Sequence, residues 1–190
     1  MTCCCKPKVN MTTKLFCLDF DQTLVKGHYH NAMYKTQKPT NHPDNKLTIA
    51  NLLNDTSTGL KNGEEARQFV QLALANGHKI AITTYSKYPE VISPTLRKMG
   101  LSDNEILQIV EVAFLPLDQR VGKGGHIEEA MRKTGVNDRA NVWLVDDSAN
   151  NCNLARNAGY SVVEVPEDRD ASPEYFLPLL AAAQIPASVR

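Results

Sequence analysis

The chain's first apolar run is Leu15-Phe16-Cys17-Leu18, and it ends in Asp19-Phe20-Asp21-Gln22-Thr23-Leu24. Side chains alternate along a strand, so Asp19 and Asp21 should point to one side at its carboxyl end while Phe20 points to the other. Two converging carboxylates repel each other, and either a bound divalent cation or separate roles as nucleophile and acid resolves that repulsion. A solvated Asx turn is the alternative, and an isolated Asp-x-Asp does not distinguish the two.

Length and charge limit the classes to which the protein can belong. Its 190 residues suit one α/β domain with a sizeable core. Lys and Arg number 21, as do Asp and Glu, so no net charge favours nucleic acid as a partner. No apolar run is long enough to span a membrane, and the N-terminus lacks the apolar core of a secretory signal. We therefore expect a cytoplasmic protein that does not bind nucleic acid.

The five cysteines are odd in number and lack a zinc-binding spacing, which favours a reducing compartment. Cys17 and Cys152 fall on a predicted strand and a predicted helix and are expected to be ordinary core thiols. Clustered terminal cysteines beside lysines can accept palmitate, which holds a protein to a membrane surface. In this chain the candidates are Cys3, Cys4 and Cys5. The alternative is that residues 1–13 form a flexible tail without such a function.

Short apolar runs alternate with amphipathic segments along the rest of the chain. Further strands are predicted at Lys79–Thr83, Ile109–Phe114, Asn141–Asp146 and Val162–Val165, and helices over about Glu64–Asn76, Pro89–Lys98, Lys123–Lys133, Asn150–Asn157 and Pro173–Ala183. This alternation predicts an α/β, Rossmann-like fold with a mostly parallel sheet and helices on both faces. Residues 14–187 should form this domain, with 28–62 as an inserted flap or small cap that holds one short helix.

Polar residues follow the other predicted strands, and ligands of such sheets bind at the carboxyl ends of strands. Thr83 and Thr84 supply donors for a phosphate oxygen. Lys123 lies at a helix start, where its charge opposes the helix dipole unless an anion is nearby. Asp146 and Asp147 add a second acidic pair to the same edge of the sheet. Four carboxylates there call for a cation, and oxygen ligands of this kind suit Mg²⁺.

These motifs resemble, in type and order, those of the haloacid dehalogenase (HAD) superfamily phosphatases over roughly Lys14 to Val165. Motif I is matched by Asp19-x-Asp21-x-Thr23, motif II by Thr83, motif III by Lys123 and motif IV by Asp146-Asp147. The register continues after motif IV through Ser148, Asn151, Ala155 and Ala158-Gly159. Asn151 stands where the family usually has a second aspartate.

The resemblance implies a covalent mechanism. Asp19 would attack phosphorus and form an aspartyl phosphate, and Asp21 would protonate the leaving oxygen and then take a proton from water. The resemblance also implies that Asp19, the Asp21 carbonyl and Asp147 hold Mg²⁺, with Asp146 as a second candidate ligand. An aspartate at position 21 implies hydrolysis, because dehalogenases of the superfamily lack it and transport ATPases carry threonine there.

The same resemblance implies that Thr83 and Lys123 hold the transferring phosphoryl oxygens. Other phosphate-transfer classes fit the sequence less well. A receiver domain has its motifs in another order, a cysteine-based phosphatase needs arginine six residues after its cysteine, and the P-loop motif is absent. A catalytically inactive HAD-like binding module is the alternative of another class.

The substrate class follows from how little sequence separates motifs II and III. Only a helix and a strand fit between Thr83 and Lys123, which implies an open site without a second cap. Open sites resemble those of HAD members that act on phosphoproteins, and the chain faintly resembles HAD-type tyrosine phosphatases that intracellular bacteria deliver into host cells. We predict a phosphoprotein phosphatase, with phosphotyrosine favoured over the alternative, a small metabolite. A groove for the aromatic ring would be lined by Tyr29, Tyr34, Tyr85 and Tyr88.

Overall fold

The computed structural model describes residues 12–113, 115, 122–168 and 170–184. Within these residues, parallel strands form a single sheet in the order β3-β2-β1-β4-β5. The strands are β1 (Leu15–Leu18), β2 (Lys79–Thr84), β3 (Val110–Ala113), β4 (Val142–Asp146) and β5 (Ser161–Glu164). The predicted α/β fold with a parallel sheet is confirmed.

The described helices are α1 (Tyr29–Lys35), α2 (Asn45–Asn54), α3 (Gly63–Ala75), α4 (Ile92–Met99), α5 (Asp103–Ile106), α6 (Gly124–Thr134), α7 (Ala149–Asn157) and α8 (Leu177–Ala183). The 3-10 turns Pro89–Val91 and Pro173–Phe176 form the first turns of α4 and α8, and Arg139–Asn141 precedes β4. With those turns included, each predicted helix agrees with the structure to within one residue at either end. The short α5, which a Ser102–Glu105 capping box begins, was not predicted.

Alternate residues of β1 face two separate hydrophobic layers. Phe16 and Leu18 pack in the larger core with α3, α4 and α8, whereas Leu15 and Cys17 pack in a second core with α6 and α7. Both faces of the sheet are covered, which explains why its central strand is apolar at every position. Cys17 and Cys152 are buried free thiols, in agreement with their predicted place in the core.

The insertion after β1 packs as part of the domain and contains two helices rather than the predicted one. Together α1 and α2 bury four apolar side chains in the larger core: Tyr29, Met33, Ile49 and Leu53. The segment between them is bound to the residues after β2, since Thr40 Oγ1 donates to the Lys87 carbonyl and the Asn41 N–H donates to Glu90 Oε1. The helix α1 escaped prediction because only Tyr29 and Met33 give it an apolar face, too sparse a pattern to recognise.

Three of the sequence-based expectations fall on the ends of the chain. The palmitoylation candidates Cys3, Cys4 and Cys5, most of the expected tail (1–13) and the last residues of the predicted domain lie outside the described residues. In the part of the chain that the structure describes, every helix is too short or too polar to cross a membrane.

Candidate active site

The carboxyl ends of β1, β2 and β4 are neighbours in the sheet and open into one cavity of about 590 Å³. Six of the seven predicted site residues line it: Asp19, Asp21, Thr84, Lys123, Asp146 and Asp147. They come from positions up to 128 residues apart, and the parallel sheet brings them together because every strand ends at the same edge. The structure therefore assembles the predicted constellation around a single space.

A tight turn after β1 holds Asp19 and Asp21 toward this cavity. The Asp19 N–H donates to the Val145 carbonyl (2.8 Å), and the Phe20 carbonyl accepts the Leu24 N–H (3.0 Å). Gln22 has a φ of 62° at the tightest point of the turn. Phe20 is fully buried, with its ring edge-on to Tyr29 at 5.6 Å. The predicted alternation of the two aspartates with Phe20 is thus confirmed.

Asp19 forms a buried ion pair with Lys123. The Lys123 ammonium donates to Asp19 Oδ1 at 2.5 Å and to the Thr83 carbonyl at 2.6 Å, and it lies 4.5 Å from the centre of the Tyr85 ring. The lysine is 1% exposed. Burial raises the pKa of the Asp19 carboxyl, and the charge of Lys123 opposes that rise. The ammonium is therefore fixed where it balances Asp19.

Asp21 is held by the first turn of the insertion. Its Oδ1 accepts the Tyr29 N–H (2.8 Å) and its Oδ2 accepts the His30 N–H (3.1 Å), both at the start of α1. Burial, followed by the negative charge of Asp19, raises the pKa of Asp21 to about 6. A carboxyl with such a pKa exchanges its proton near neutral pH, as a general acid and base must.

The two threonines at the end of β2 differ in position. Thr83 is fully buried and its hydroxyl donates to the Leu18 carbonyl at 3.4 Å, so it does not line the cavity, although its own carbonyl accepts from Lys123. Thr84 does line it, and its Oγ1 accepts the Ser86 N–H at 3.1 Å. The motif resemblance placed its emphasis on Thr83, because sequence alone does not say which of two adjacent hydroxyls faces the cavity.

Asp146 and Asp147 reach the cavity in different surroundings. Asp146 is 1% exposed, accepts the Ser148 N–H (2.9 Å) and is bonded by Asn151 Nδ2 at 3.0 and 3.2 Å. Asp147 is more accessible and lies 3.4 Å from Thr23 Oγ1. Burial, and then the charge of Asp19, raises the pKa of Asp146 to about 7. Asn151, which departs from the family pattern, orients Asp146 rather than contacting Lys123.

Two buried cationic or titratable side chains near the site were not predicted. Lys61 is 1% exposed, and its ammonium donates to the carbonyls of Gln22 (3.0 Å) and Pro166 (2.6 Å), which holds the turn after β1 in place. His126 Nε2 lies 3.0 Å from the Thr84 carbonyl, and burial, together with the charge of Lys123, lowers its pKa to about 4. A neutral imidazole donates to that carbonyl and positions the end of β2. The spacing i, i+3 from Lys123 was the one sequence signal for His126.

The donor types in this cavity fit Mg²⁺. In the described residues no group of three or more His, Cys, Asp or Glu side chains is already arranged to hold a metal. Mg²⁺, however, typically takes one or two carboxylates and completes its octahedron with water and phosphate. Asp19, Asp146 and Asp147 supply carboxylate oxygens, and among the described residues that line the cavity Lys123 is the one with an ammonium. Burial, and then the negative charge of Asp19, raises the pKa values of Asp21 and Asp146.

The raised pKa of Asp146 predicts that the stability of the fold depends on pH. Burial and the charge of Asp19 raise the pKa of Asp146 from its ordinary 3.8 to about 7 in the folded chain, so the folded state holds the proton more tightly. The contribution of protonated Asp146 to the free energy of unfolding is present below pH 4 and is lost as the pH rises to about 7. At about 1.4 kcal/mol per pKa unit, the loss is about 4 kcal/mol. Urea unfolding in chelator from pH 4.5 to 7.5 should show this fall, and Asp146→Asn should make it shallower, with the part due to the raised pKa values of Asp19 and Asp21 remaining. An equal slope in Asp146→Asn would contradict the raised pKa.

Comparison with solved structures agrees with the observed fold. No family model and no curated protein sequence matches the chain. Among solved structures, the HAD domain of effector protein Lem4 from Legionella pneumophila is similar with a TM-score of 0.58 and 18% identity over 93% of this chain and 98% of that one. CbbY from Rhodobacter sphaeroides, in complex with phosphate, gives a TM-score of 0.57 at 14% identity over 86% of this chain and 91% of that one.

A third structure is the N-terminal part of protein BF1531 from Bacteroides fragilis, which contains a phosphatase domain and was complexed with Mg. Its TM-score is 0.58 at 20% identity, over 95% of this chain and 43% of that one. At these identities the likeness establishes architecture. The chain has the haloacid dehalogenase fold, as its motifs predicted.

Proposed function

We propose that the protein is a Mg²⁺-dependent phosphomonoester hydrolase that works through a phosphorylated Asp19. The observation that carries this proposal is the pairing of Asp19 with the buried Lys123 ammonium while Asp21, two residues later, is held on the same side by the amides of α1. A nucleophile, a balancing cation and a proton carrier with a pKa near 6 then face one cavity. A turn that merely ended a strand would need none of these buried contacts.

The chemistry follows from the positions of these groups. An Asp19 oxygen attacks phosphorus, the bond from phosphorus to the leaving oxygen breaks, and Asp21 gives that oxygen its proton. Asp21, now ionised, takes a proton from the water that attacks the aspartyl phosphate, which releases inorganic phosphate and restores both carboxyls. Mg²⁺, held by Asp19, the Asp21 carbonyl and Asp147 or Asp146, would offset the charge of the phosphoryl group.

Lys123 and the carboxyl end of β2 hold the phosphoryl oxygens in this proposal. Lys123 already carries its charge beside Asp19, where negative charge changes during transfer. Thr84 is favoured over Thr83 for the second contact, because its side chain lines the cavity whereas the Thr83 hydroxyl faces the Leu18 carbonyl. His126 holds this end of β2 in position through its hydrogen bond to the Thr84 carbonyl.

A phosphoprotein is the favoured substrate class, and phosphotyrosine the favoured residue. The described chain between β2 and α6 holds only α4, α5 and β3, so those elements supply no second cap to enclose a metabolite. Of the predicted ring contacts, Tyr85 lines the cavity, and Tyr34 and Tyr88 line a neighbouring groove. Tyr29 is an error in that prediction: it is 1% exposed and packs against Phe20 in the core.

The proposed activity is tested by a panel of phosphate esters with and without metal. We expect hydrolysis of phosphotyrosine peptides in Mg²⁺, none in excess chelator, and recovery when Mg²⁺ is added back. Catalytic efficiency on those peptides should exceed that on sugar phosphates. Full activity in chelator would refute the metal requirement, and preference for sugar phosphates would favour the alternative, a small-metabolite phosphatase.

The third alternative is an inactive HAD-like module that binds a phosphorylated partner. It predicts peptide binding with no turnover of any ester, whereas the intact set Asp19, Asp21 and Lys123 favours catalysis.

The buried free thiols Cys17 and Cys152 suit a reducing compartment such as the cytoplasm. Delivery into a host cell remains a proposal that the fold shared with an effector domain makes worth testing.

A further inference from the structure

A second groove of about 640 Å³ lies beside the catalytic cavity, between α1 and the segment after β2. Its walls carry two aromatic rings and three lysines: Tyr34, Tyr88, Lys35, Lys38 and Lys87. The remaining wall residues are Gln37 and Pro39, so the described walls contain no acidic side chain. The groove thus has the opposite electrostatic character to the carboxylate-rich cavity next to it.

His30 joins the two spaces. Its ring lines the catalytic cavity, stacks on the Tyr34 ring at 6.2 Å and lies 6.0 Å from the Tyr88 ring. The same residue donates its N–H to Asp21. A chain that leaves the cavity over His30 therefore meets Tyr34 and Tyr88 next, without crossing another element of the fold.

The ammonium of Lys87 is held in place without being neutralised. It lies 4.9 Å from the centre of the Tyr34 ring and 5.6 Å from that of Tyr88, which are cation–π distances. Within the described residues neither Lys87 nor Lys35 forms an ion pair, while Lys38 is paired with Asp44 at 2.8 Å. Lys35 and Lys87 are therefore the charges that an incoming anion would meet.

Tyr34 completes the surface as an apolar contact. It is 60% exposed, one of the few large apolar side chains that the described surface presents. Tyrosine is enriched at the centres of protein interfaces, where its ring supplies contact area at little cost in side-chain entropy. The exposed ring of Tyr34 and the unpaired ammoniums of Lys35 and Lys87 together suit a partner in which apolar and acidic groups alternate.

We propose that this groove binds the acidic residues that flank the phosphorylated residue of a protein substrate, so that the enzyme selects acidic phosphopeptides. The inference rests on the proposed function and names its substrate class. Acidic side chains of the substrate would be repelled by the four aspartates of the catalytic cavity. The lysines of the neighbouring groove offset that repulsion. The size of the groove, about 640 Å³, suits several residues of an extended chain.

An acidic peptide fits better than the other polyanion that three lysines would attract, a phosphoinositide membrane. Membrane-binding surfaces gather four to eight basic residues on one face, whereas two unpaired lysines flank aromatic rings here. Both partners remain distinguishable by experiment.

The test compares phosphotyrosine peptides of equal length that carry Glu, Gln or Lys on either side of the phosphorylated residue. We expect the acidic peptides to have about a fivefold to tenfold higher kcat/KM than the neutral ones at low salt, with the advantage fading as salt screens the lysines. In the double variant Lys35→Gln/Lys87→Gln that advantage should disappear. Turnover of a small aryl phosphate should stay unchanged, because neither lysine lines the catalytic cavity.

Lys79→Gln is the matched control, since this exposed lysine begins β2 at the opposite edge of the sheet. Peptide binding to the Asp19→Asn variant, measured by fluorescence anisotropy, reports on the groove even without turnover. Equal treatment of acidic and neutral peptides in both measurements would overturn the proposal, as would stronger binding to phosphoinositide vesicles than to acidic peptides. Failure to hydrolyse any ester, with the acidic preference in binding retained, would count against the proposed function and leave the groove assignment standing.

Discussion

The Asp19→Asn variant is expected to lose phosphatase activity by on the order of 10⁴-fold to 10⁶-fold, the range found when single members of a catalytic triad are removed. An amide keeps the shape of the side chain but has no anionic oxygen with which to attack phosphorus. The fold should survive the change, because Lys123 keeps its bond to the Thr83 carbonyl and the nearby charge of Asp146, which loses a repulsive neighbour, still compensates the ammonium. The variant therefore separates chemistry from structure.

Three measurements check this expectation together. Steady-state hydrolysis of a phosphotyrosine peptide gives the loss of kcat, and acid quenching with intact-mass analysis detects the phosphorylated enzyme in the wild type alone. Beryllofluoride, a mimic of the acyl phosphate, should bind the wild type at Asp19 and fail to bind the variant. Asp103→Asn is the control for the same chemical change at an exposed carboxylate, which pairs with Arg97 on the surface. Activity in Asp19→Asn close to that of the control would refute Asp19 as the nucleophile.

The strands and helices were predictable because local patterns specify them. The apolar runs of β1 and β4 are buried on both faces, and glycines such as Gly100 and Gly135 end their helices at positive φ. The gathering of Asp19, Lys123 and Asp147 was predictable for a related reason, since a parallel sheet places every carboxyl end at one edge. The parallel topology of the sheet is therefore what brings these site residues together.

The contacts that adjust these groups could not be predicted. The α1 amides that hold Asp21 and the Lys61 ammonium that fixes the Gln22 carbonyl arise from the insertion, whose packing depends on tertiary contacts rather than on periodicity. The choice between Thr83 and Thr84 depends on where β2 stops relative to β1. A difference of one residue exchanges the two faces of a strand. Both threonines could therefore be predicted as candidates, but only the register of β2 in the sheet determines which hydroxyl lines the cavity.

Replacing Lys123 with methionine is expected to remove both activity and stability. The ammonium is the cation that Asp19 contacts, and without it the attacking and transferring oxygens lose their balancing charge. Loss of one such preorganised electrostatic contact costs about 10²-fold to 10³-fold in kcat. Breaking a buried ion pair by removing one partner also costs about 3 to 5 kcal/mol of folding free energy, because the other charge stays buried without compensation.

The pH dependence distinguishes this cause from a simple packing defect. Without Lys123 the pKa of Asp19 and of Asp146 should rise further, because the ammonium lowers both. The folded variant then takes up protons that the unfolded chain has already released, so its stability deficit should be small near pH 4.5 and grow as the pH rises toward 8. Lys133→Met, an exposed lysine later in α6 that bonds the Glu111 carbonyl, is the control. Urea unfolding of both variants across this range measures the difference, and a deficit independent of pH would mean that Lys123 acts through packing and not through its charge.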